Sequence, residues 1–352
     1  MLFQYAASHP IETINLSQNK LKLSGSRVVA KGLLLNRSLT ELDVRGNDLK
    51  GNSKKIIGAA LMNAPESPLK FFKCDQWSVN PGESKLDFAN KMLKPSDLVL
   101  LGKLISRNEA LTAIDMSNNM GARGLYQGCG QYDEITEGIQ ALLDALHPAK
   151  SRAPVTYLNI SGNNIRMLGC TLLADHLAEN NILRTLVVAD NQLMMDGPGS
   201  HDTSGMLSFA AALVANTTLT SLDLSGNSIG AYKDVFQITH PLTNALEAIL
   251  SAIEQGKGNL KELNMEQNHV RPKEKMKFKA VCAARGMLLH IKAQTFAVTK
   301  LKQTKRLPGQ LSPIRKPLHT ATRLQMREAS IRQKSVEPEG PARPETDTDM
   351  QQ

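Results

Sequence analysis

Cysteine is scarce in this chain of 352 residues, with four copies and no CxxC pair among them. They stand at Cys74, Cys129, Cys170 and Cys282. Disulfide-stapled domains and zinc clusters need cysteines at short, regular spacings, so the sequence argues against both classes. We therefore expect reduced, structural thiols and a cytoplasmic location, with the nucleus or the cytoskeleton as alternatives.

Long apolar stretches are also missing. No run of about eighteen apolar residues occurs, so we expect no transmembrane segment. The segment 1–7 lacks the basic residues that begin a signal peptide, so we expect none. It is typical of the last turn of a helix, which implies either a very short cap before the first repeat or a piece of a longer protein.

Motifs for cofactors and catalysis are absent. The glycines within residues 120–135 form neither GxGxxG nor a GK[ST] loop, so we predict a loop without a phosphate site. His201, Asp202 and His240 lack HxH or HxxxH spacing, which argues against a metal. No Ser/His/Asp or Cys/His order stands out. The sequence therefore predicts no cofactor, no metal, no catalytic residue and a protein that is not an enzyme.

One pattern, LxxLxLxxNxL, is abundant and is clearest at residues 219–229. It recurs from near the first residue to about residue 290. Trp77 and Lys91 take the asparagine place in two imperfect copies. The asparagines themselves are Asn19, Asn47, Asn119, Asn163, Asn191, Asn227 and Asn268.

The copies are regularly spaced and predict one kind of coil. A spacing of 28 residues separates Ile14 from Leu42, Leu86 from Ile114 and Leu158 from Leu186. Alternating apolar residues predict a short strand, and the helical spacing of Leu246, Ile249 and Ile253 predicts a helix after it. One strand and one helix cannot bury their apolar sides alone, so coils must stack. The asparagines are then expected to bind backbone groups where each strand ends.

The pattern resembles the leucine-rich repeats of the ribonuclease-inhibitor type over roughly residues 1–291. This resemblance implies an α/β fold, a horseshoe solenoid with a parallel inner sheet and outer helices. We expect residues 1–292 to form this domain and residues 293–352 to be a mostly disordered tail, first basic and then acidic. The repeats are also similar in fold to those of Ran GTPase-activating proteins and of NLR-type immune receptors.

Three coils carry insertions on one predicted edge, at Met120–Ile135, Met194–Gly205 and Gly230–Pro241. Each follows the asparagine and precedes the helix. Insertions confined to one edge often mark the binding side of a repeat protein. We therefore predict partner contacts from side chains of these insertions, namely Tyr126, Tyr132, His201 and Tyr232.

Residues 63–95 break the regular pattern. Four prolines and Trp77 interrupt it, which predicts either one shortened coil or a strand with an extended loop. We expect Trp77 to fill the core, with an interface anchor as the alternative. Lys31, Lys54 and Lys55 are expected on the solvated outer face.

The strand residues that alternate with buried leucines should face the inner curve. Seven of them are predicted to contact a partner: Asp43, Lys73, Asp87, Asp115, Asn159, Asp223 and Asn264. The column is mostly acidic, and two explanations stay open. Aspartate belongs to the repeat consensus at this place, or the acids form a groove that attracts a basic partner.

The end of the chain differs in charge from the repeats. Residues 292–352 hold 12 Lys/Arg and 6 Asp/Glu, whereas the preceding residues hold 30 and 27. Such a tail can bind nucleic acid, which we expect from no other part of the chain. Ser312 precedes a proline, and Ser330 and Ser335 each follow an arginine at −3, so these serines are candidate phosphorylation sites. A solvated tail without a fixed role is the alternative.

Three functions fit these features. The first is a non-enzymatic scaffold that binds a protein partner, which the sequence does not identify, on the inner face and the insertion-bearing edge. The second, implied by the resemblance, is a Ran-type GTPase-activating protein whose partner is a small GTPase. The third is the repeat portion of an immune-receptor-like protein.

Overall fold

The structure is a computed structural model that describes residues 10–64, 67–119, 130–197, 200–233 and 239–292, with only the backbone described for 130–135 and Lys233. None of the helices in these ranges combines the length and the apolar content needed to cross a bilayer.

Each coil contains a three-residue strand whose central side chain is buried, except in the last strand. The remaining strands pair antiparallel in hairpins. In chain order the strands are β1 (Thr13–Asn15), β2 (Glu41–Asp43), β3 (Phe71–Lys73), β4 (Ser78–Val79), β5 (Lys85–Asp87), β6 (Ala113–Asp115), β7 (Tyr157–Asn159), β8 (Thr185–Val187), β9 (Met195–Gly197), β10 (Ser200–His201), β11 (Ser221–Asp223), β12 (Ala231–Lys233), β13 (Thr239–Pro241), β14 (Glu262–Asn264) and β15 (Leu288–His290).

Helices follow the strands, and each packs against the next one along the chain. Leu246, Ile249 and Ile253 are buried, as their spacing predicts. Strand and helix side chains join in one apolar cluster, so the coils share a continuous core. The helices are α1 (Lys22–Leu35), α2 (Gly51–Met62), α3 (Pro95–Ser106), α4 (Gly130–Ala145), α5 (Arg166–Glu179), α6 (Ser204–Ala215), α7 (Thr243–Gln255) and α8 (Pro272–Ala284).

The asparagines link neighbouring coils a few residues after each strand ends. The backbone N–H of one asparagine donates to the side-chain oxygen of the next, at 2.8–3.0 Å, in the pairs Asn19–Asn47, Asn119–Asn163, Asn163–Asn191, Asn191–Asn227 and Asn227–Asn268. The amide nitrogen of Asn163 also donates to the carbonyls of Met116 and Ile160. These bonds satisfy buried backbone groups at the strand ends, which confirms the predicted structural role.

The parallel sheet is divided at the irregular segment. One sheet has the order β1-β2-β3-β4, in which β4 turns back antiparallel to β3, and the other has the order β15-β14-β11-β8-β7-β6-β5. Within the described residues, no strand pairing joins β4 to β5. Of the two predicted alternatives, the structure shows the strand with an extended loop, folded as a hairpin.

Buried polar and sulfur groups complete the core. Cys74, Cys170 and Cys282 are free and buried, as predicted, and burial raises the pKa of the Cys74 thiol to about 11. The predicted placement of Lys54 on the solvated face is wrong, since this lysine is 5 % exposed. A carboxylate from the next helix explains its burial, because a buried charge needs a partner.

Candidate functional site

The seven-stranded sheet carries a row of side chains at the third position of its strands, here called the polar face. The register of the strands orders the row as Asp87, Asp115, Asn159, Val187, Asp223, Asn264 and His290. All seven are exposed or half-buried. The structure therefore brings five of the predicted contact residues side by side.

The acids of the polar face also support the backbone. Asp115 Oδ1 accepts the N–H of Ser117 at 2.8 Å, and Asp223 Oδ1 accepts that of Ser225 at 2.8 Å. The second oxygen of each carboxylate accepts an amide hydrogen from the neighbouring strand at 3.0 Å, in the pairs Asn159–Asp115 and Asn264–Asp223. The column thus has a structural role, which agrees with the first explanation.

In the four-stranded sheet, the same column differs from the prediction. Asp43 is 4 % exposed, and its carboxylate accepts hydrogen bonds from the guanidinium of Arg45. These bonds hold the pKa of Asp43 below its usual range. The expectation that Asp43 faces a partner is therefore not met, because Arg45 covers it. Lys73 is half-buried and pairs with Glu41 at 2.9 Å.

A cleft of about 510 Å³ opens where the sheet is divided. Its walls belong to the β3–β4 hairpin and to β5, and its charged lining residues are Arg45, Lys73, Asp75, Glu83, Lys85, Asp87 and Lys91. Trp77 and Phe88 form part of its floor, with ring centroids 6.3 Å apart.

A buried polar cluster stands next to this cleft. Lys54 Nζ donates to Asp97 Oδ1 at 2.5 Å and to Gln76 Oε1 at 2.9 Å. Trp77 Nε1 donates to the same Asp97 oxygen at 2.8 Å. Asp97 Oδ2 accepts the N–H of Lys94, so the carboxylate also caps α3. The cluster fixes the hairpin to two helices across the divided sheet.

The later two insertions fold as β-hairpins, β9–β10 and β12–β13, here called the hairpin rim. His201 of one hairpin stacks on Tyr232 of the other, with centroids 3.6 Å apart and planes at 13°. His240 is paired with Tyr232 across the second hairpin, and the centroids of their rings lie 5.0 Å apart. Two predicted contact residues from separate insertions thus meet in one aromatic stack.

The environment of this stack affects its histidines. Burial, and secondarily the charge of His240, lower the pKa of His201. The Nδ1 atom of His201 is buried and has no hydrogen-bond partner among the described residues. Burial therefore favours the neutral form of the His201 ring in this stack.

The other predicted site residues cannot be placed in the same way. Tyr126 and the candidate phosphorylation sites Ser312, Ser330 and Ser335 lie outside the described residues. Tyr132 belongs to the first two turns of α4, where only the backbone is described.

The structure adds Tyr157 to the sequence-predicted residues. It is the first residue of β7 and lies in register between Ala113 and Thr185, half-buried on the sheet. Burial, and then the charge of Asp115, raise the pKa of its hydroxyl. Tyr157 directly precedes Leu158, a buried strand residue, and this position in the repeat is the sequence signal that predicts its place on the sheet. Among the described residues, no three His, Cys, Asp or Glu side chains are grouped to hold a metal ion.

Comparison with known proteins agrees with this repeat. A family model described as "Leucine Rich repeat" matches residues 35–52 and 215–231, and each segment includes one linking asparagine, Asn47 or Asn227. The chain is 28% identical to leucine-rich repeat-containing protein 45 of Gallus gallus over 149 residues. The matched stretch covers 42% of this chain and 19% of that protein. Among solved structures, the actin-binding site 2 of leiomodin-1 matches with a TM-score of 0.36 and 14% identity, over 53% of this chain and 87% of that one.

Proposed function

Because the chain is a leucine-rich repeat protein, we propose that it is a non-enzymatic scaffold that binds a protein partner on the polar face and the hairpin rim. The observation that best supports this proposal is the orientation of two carboxylates, those of Asp115 and Asp223. Each is oriented by a turn and by a neighbouring asparagine, and neither has an ion-pair partner in the described part of the chain.

Charge on the polar face favours a basic partner segment. The charge of Asp223 adds to the effect of burial in raising the pKa of Asp190, so the acids lie close enough to repel one another. A lysine or arginine from a partner would relieve this repulsion. Because the carboxylates are already held in place, binding requires little further ordering of side chains.

The size of the face explains why the rim should take part. Seven strands at about 4.8 Å spacing span roughly 29 Å, and a strand with its turn is about 16 Å wide, which gives roughly 460 Å². A stable complex buries about 800 Å² on each partner. The face alone falls short of this area, so the proposed interface includes the hairpin rim.

A photo-crosslinking residue in the middle of the polar face tests the proposal. We expect one at Val187 to capture a partner from native extract, and one at the exposed Glu254 of α7 to capture nothing above background. The same protein captured equally from both positions, or only through Glu254, would remove the assignment of the binding face.

The Ran-type GTPase-activating function remains a second proposal, because it would use the same surface with a small GTPase as partner. Adding the protein to GTP-loaded small GTPases distinguishes the two functions. Faster hydrolysis that Asp115→Asn abolishes would favour the activator, and an unchanged rate would leave the scaffold. Three further predictions remain proposals: a domain boundary at residue 292, a cytoplasmic location, and the alternative function as the repeat portion of an immune-receptor-like protein.

A further inference from the structure

Helix α1 leaves much of its apolar surface uncovered. Leu23, Val28, Leu34 and Leu35 are 37%, 60%, 38% and 58% exposed. They are four of the ten large apolar side chains that are exposed within the described part of the chain. Single exposed leucines are ordinary, whereas a group of them on one helix is typical of an interaction surface.

The inner coils show what covers such a surface. Val28 and Leu100 are equivalent, because each lies 14 residues after the buried central residue of its strand, Ile14 or Leu86. Leu100 is fully buried, and a Cβ atom added at Gly58 of α2 would lie 3.0 Å from the Leu100 Cα atom. The preceding helix therefore covers this place in α3. No helix precedes α1 among the described residues, so the place of Val28 is open to a helix from elsewhere.

The charge of this surface has one sign. Neither α1 nor α2 contains an aspartate or a glutamate. Lys22, Arg27 and Lys31 of α1 are exposed, and they have no ion-pair partner in the part of the chain that the structure describes. Within residues 10–39, Glu12 is the one acid, against five lysines and arginines.

Two further carboxylates from neighbouring segments are already paired. Asp48, in the loop before α2, lies 3.8 Å from the ammonium of Lys50. Glu137 of α4 lies 2.5 Å from the ammonium of Lys55 on α2. The charge that remains unbalanced on the surface of α1 is therefore positive.

We propose that the exposed side of α1 binds an acidic amphipathic helix of a partner protein. The apolar side chains of this helix contact Val28 and Leu35, and its carboxylates pair with Arg27 and Lys31. The inference goes beyond the proposed function, because this contact uses neither the polar face nor the hairpin rim.

Charge separates this occupant from three others. Residues 1–9 of the chain contain no aspartate or glutamate and so cannot neutralise the cations of α1. A second copy that docked through the same helix would bring like charges together. Helices that bind membranes keep their cations opposite their apolar residues. At about 100° of rotation per residue, Arg27 and Lys31 instead fall between the pair Leu23–Leu34 and the pair Val28–Leu35.

A peptide titration followed by methyl NMR of the full chain tests the inference. The probe is a helical peptide of about 16 residues, which matches the roughly 21 Å length of α1, with leucines on one face and glutamates beside them. Its control has lysine in place of every glutamate. We expect shifts of the Val28 and Leu35 methyl resonances. The dissociation constant should be about tenfold lower for the glutamate peptide at about 50 mM salt, since two or three exposed ion pairs form.

Matched variants locate the site. Arg27→Gln with Lys31→Gln should weaken binding of the glutamate peptide several-fold and remove its advantage over the lysine peptide. Lys277→Gln with Lys279→Gln, at exposed lysines of α8, should change neither affinity. Asp115→Asn with Asp223→Asn should also leave peptide binding unchanged, so failure of the polar-face proposal is distinguishable from failure here.

Several results would overturn the inference. Equal binding of the two peptides, or binding of neither, would remove the stated chemistry of the partner. Shifts confined to α8 or the polar face would place the peptide elsewhere. Contacts of the Val28 methyl groups with residues 1–9 in the free chain, Val28 shifts that depend on protein concentration, or larger shifts with anionic lipid vesicles than with the peptide would assign the surface to another occupant.

Discussion

Trp77 donates its indole N–H to Asp97 at 2.8 Å, in the place where other coils use an asparagine to bind the next coil. The ring also lies near Phe72 and Phe88, with centroids 5.5 Å and 6.3 Å away. The predicted core-filling role of Trp77 is confirmed. The division of the sheet is thus a stabilised feature, because an aromatic and ionic cluster replaces the asparagine link.

Removal of Asp97 should strongly destabilise the repeat domain. Asp97→Ala leaves the ammonium of Lys54 buried without its carboxylate, and loss of one partner of a buried pair costs about 3–5 kcal/mol. Urea unfolding of the variant measures this loss.

The control for this prediction is the exposed pair Lys150–Asp144, whose atoms lie 3.5 Å apart. Lys150→Ala should cost less than about 1 kcal/mol. A similar free energy of unfolding for both variants would contradict the role given to Asp97.

Loss of one linking asparagine should also destabilise the fold. Asn191→Ala removes the acceptor of the Asn163 N–H at 2.8 Å and the donor to the Ile160 carbonyl at 2.9 Å. Leaving such buried groups unsatisfied should lower the free energy of unfolding by about 3 kcal/mol. Asn181 is exposed and makes none of the asparagine links, so Asn181→Ala should change the free energy of unfolding little. Equal losses in the two variants, measured by urea unfolding, would argue against the stabilising role of the links.

Acid should weaken the fold through His176, which is 7 % exposed. Burial, and then the charge of His147, lower its pKa from 6.5 to about 4. The native state therefore holds this imidazole neutral while the unfolded state takes up a proton as the pH falls below 6.5. Stability is full above pH 6.5 and falls by about 3 kcal/mol as the pH drops toward 4.

Stability measured against pH in two variants checks this assignment. His176→Gln should flatten the curve between pH 6.5 and 4. Asn181→Ala, at an exposed residue without a titratable side chain, should keep the slope of the parent protein. The same slope in His176→Gln as in the parent would show that other groups cause the pH dependence.

The aromatic stack of the hairpin rim predicts a specific spectroscopic change. Tyr232→Leu removes the ring that stacks on His201 at 3.6 Å, so the ring-proton resonances of His201 should move downfield. The loss of stability should be only about 1 kcal/mol, as for other aromatic pairs. Tyr157→Leu is the matched control and should leave the His201 resonances in place.

The repeat could be predicted from the sequence because it is periodic. Ile114, Leu158 and Leu186 fall into equivalent slots, and stacking follows from the need to cover their apolar faces. The alignment of Asp115 with Asn159 follows from the same register. What repeats in the sequence therefore repeats in the structure.

Features that depend on one specific pair of side chains could not be predicted. Lys54 meets a carboxylate 43 residues away, in a different coil, so its local sequence gives no sign of burial. Asp43 is covered by Arg45, two residues further along the chain, and this contact depends on the side-chain rotamer of Arg45 and not on the repeat pattern. His201 and Tyr232 meet because two separate insertions happen to fold as adjacent hairpins.

The affinity of the partner captured through Val187 tests the role of the polar face most directly. Its dissociation constant is measured for the parent chain, for Asp115→Asn with Asp223→Asn, and for Asp175→Asn with Glu247→Gln on the helices, at about 50 and 150 mM salt. We expect the polar-face variant to bind about tenfold more weakly with a shallower salt dependence, and the helix variant to match the parent. Equal affinity and equal salt dependence in all three proteins would contradict a binding face built on these carboxylates.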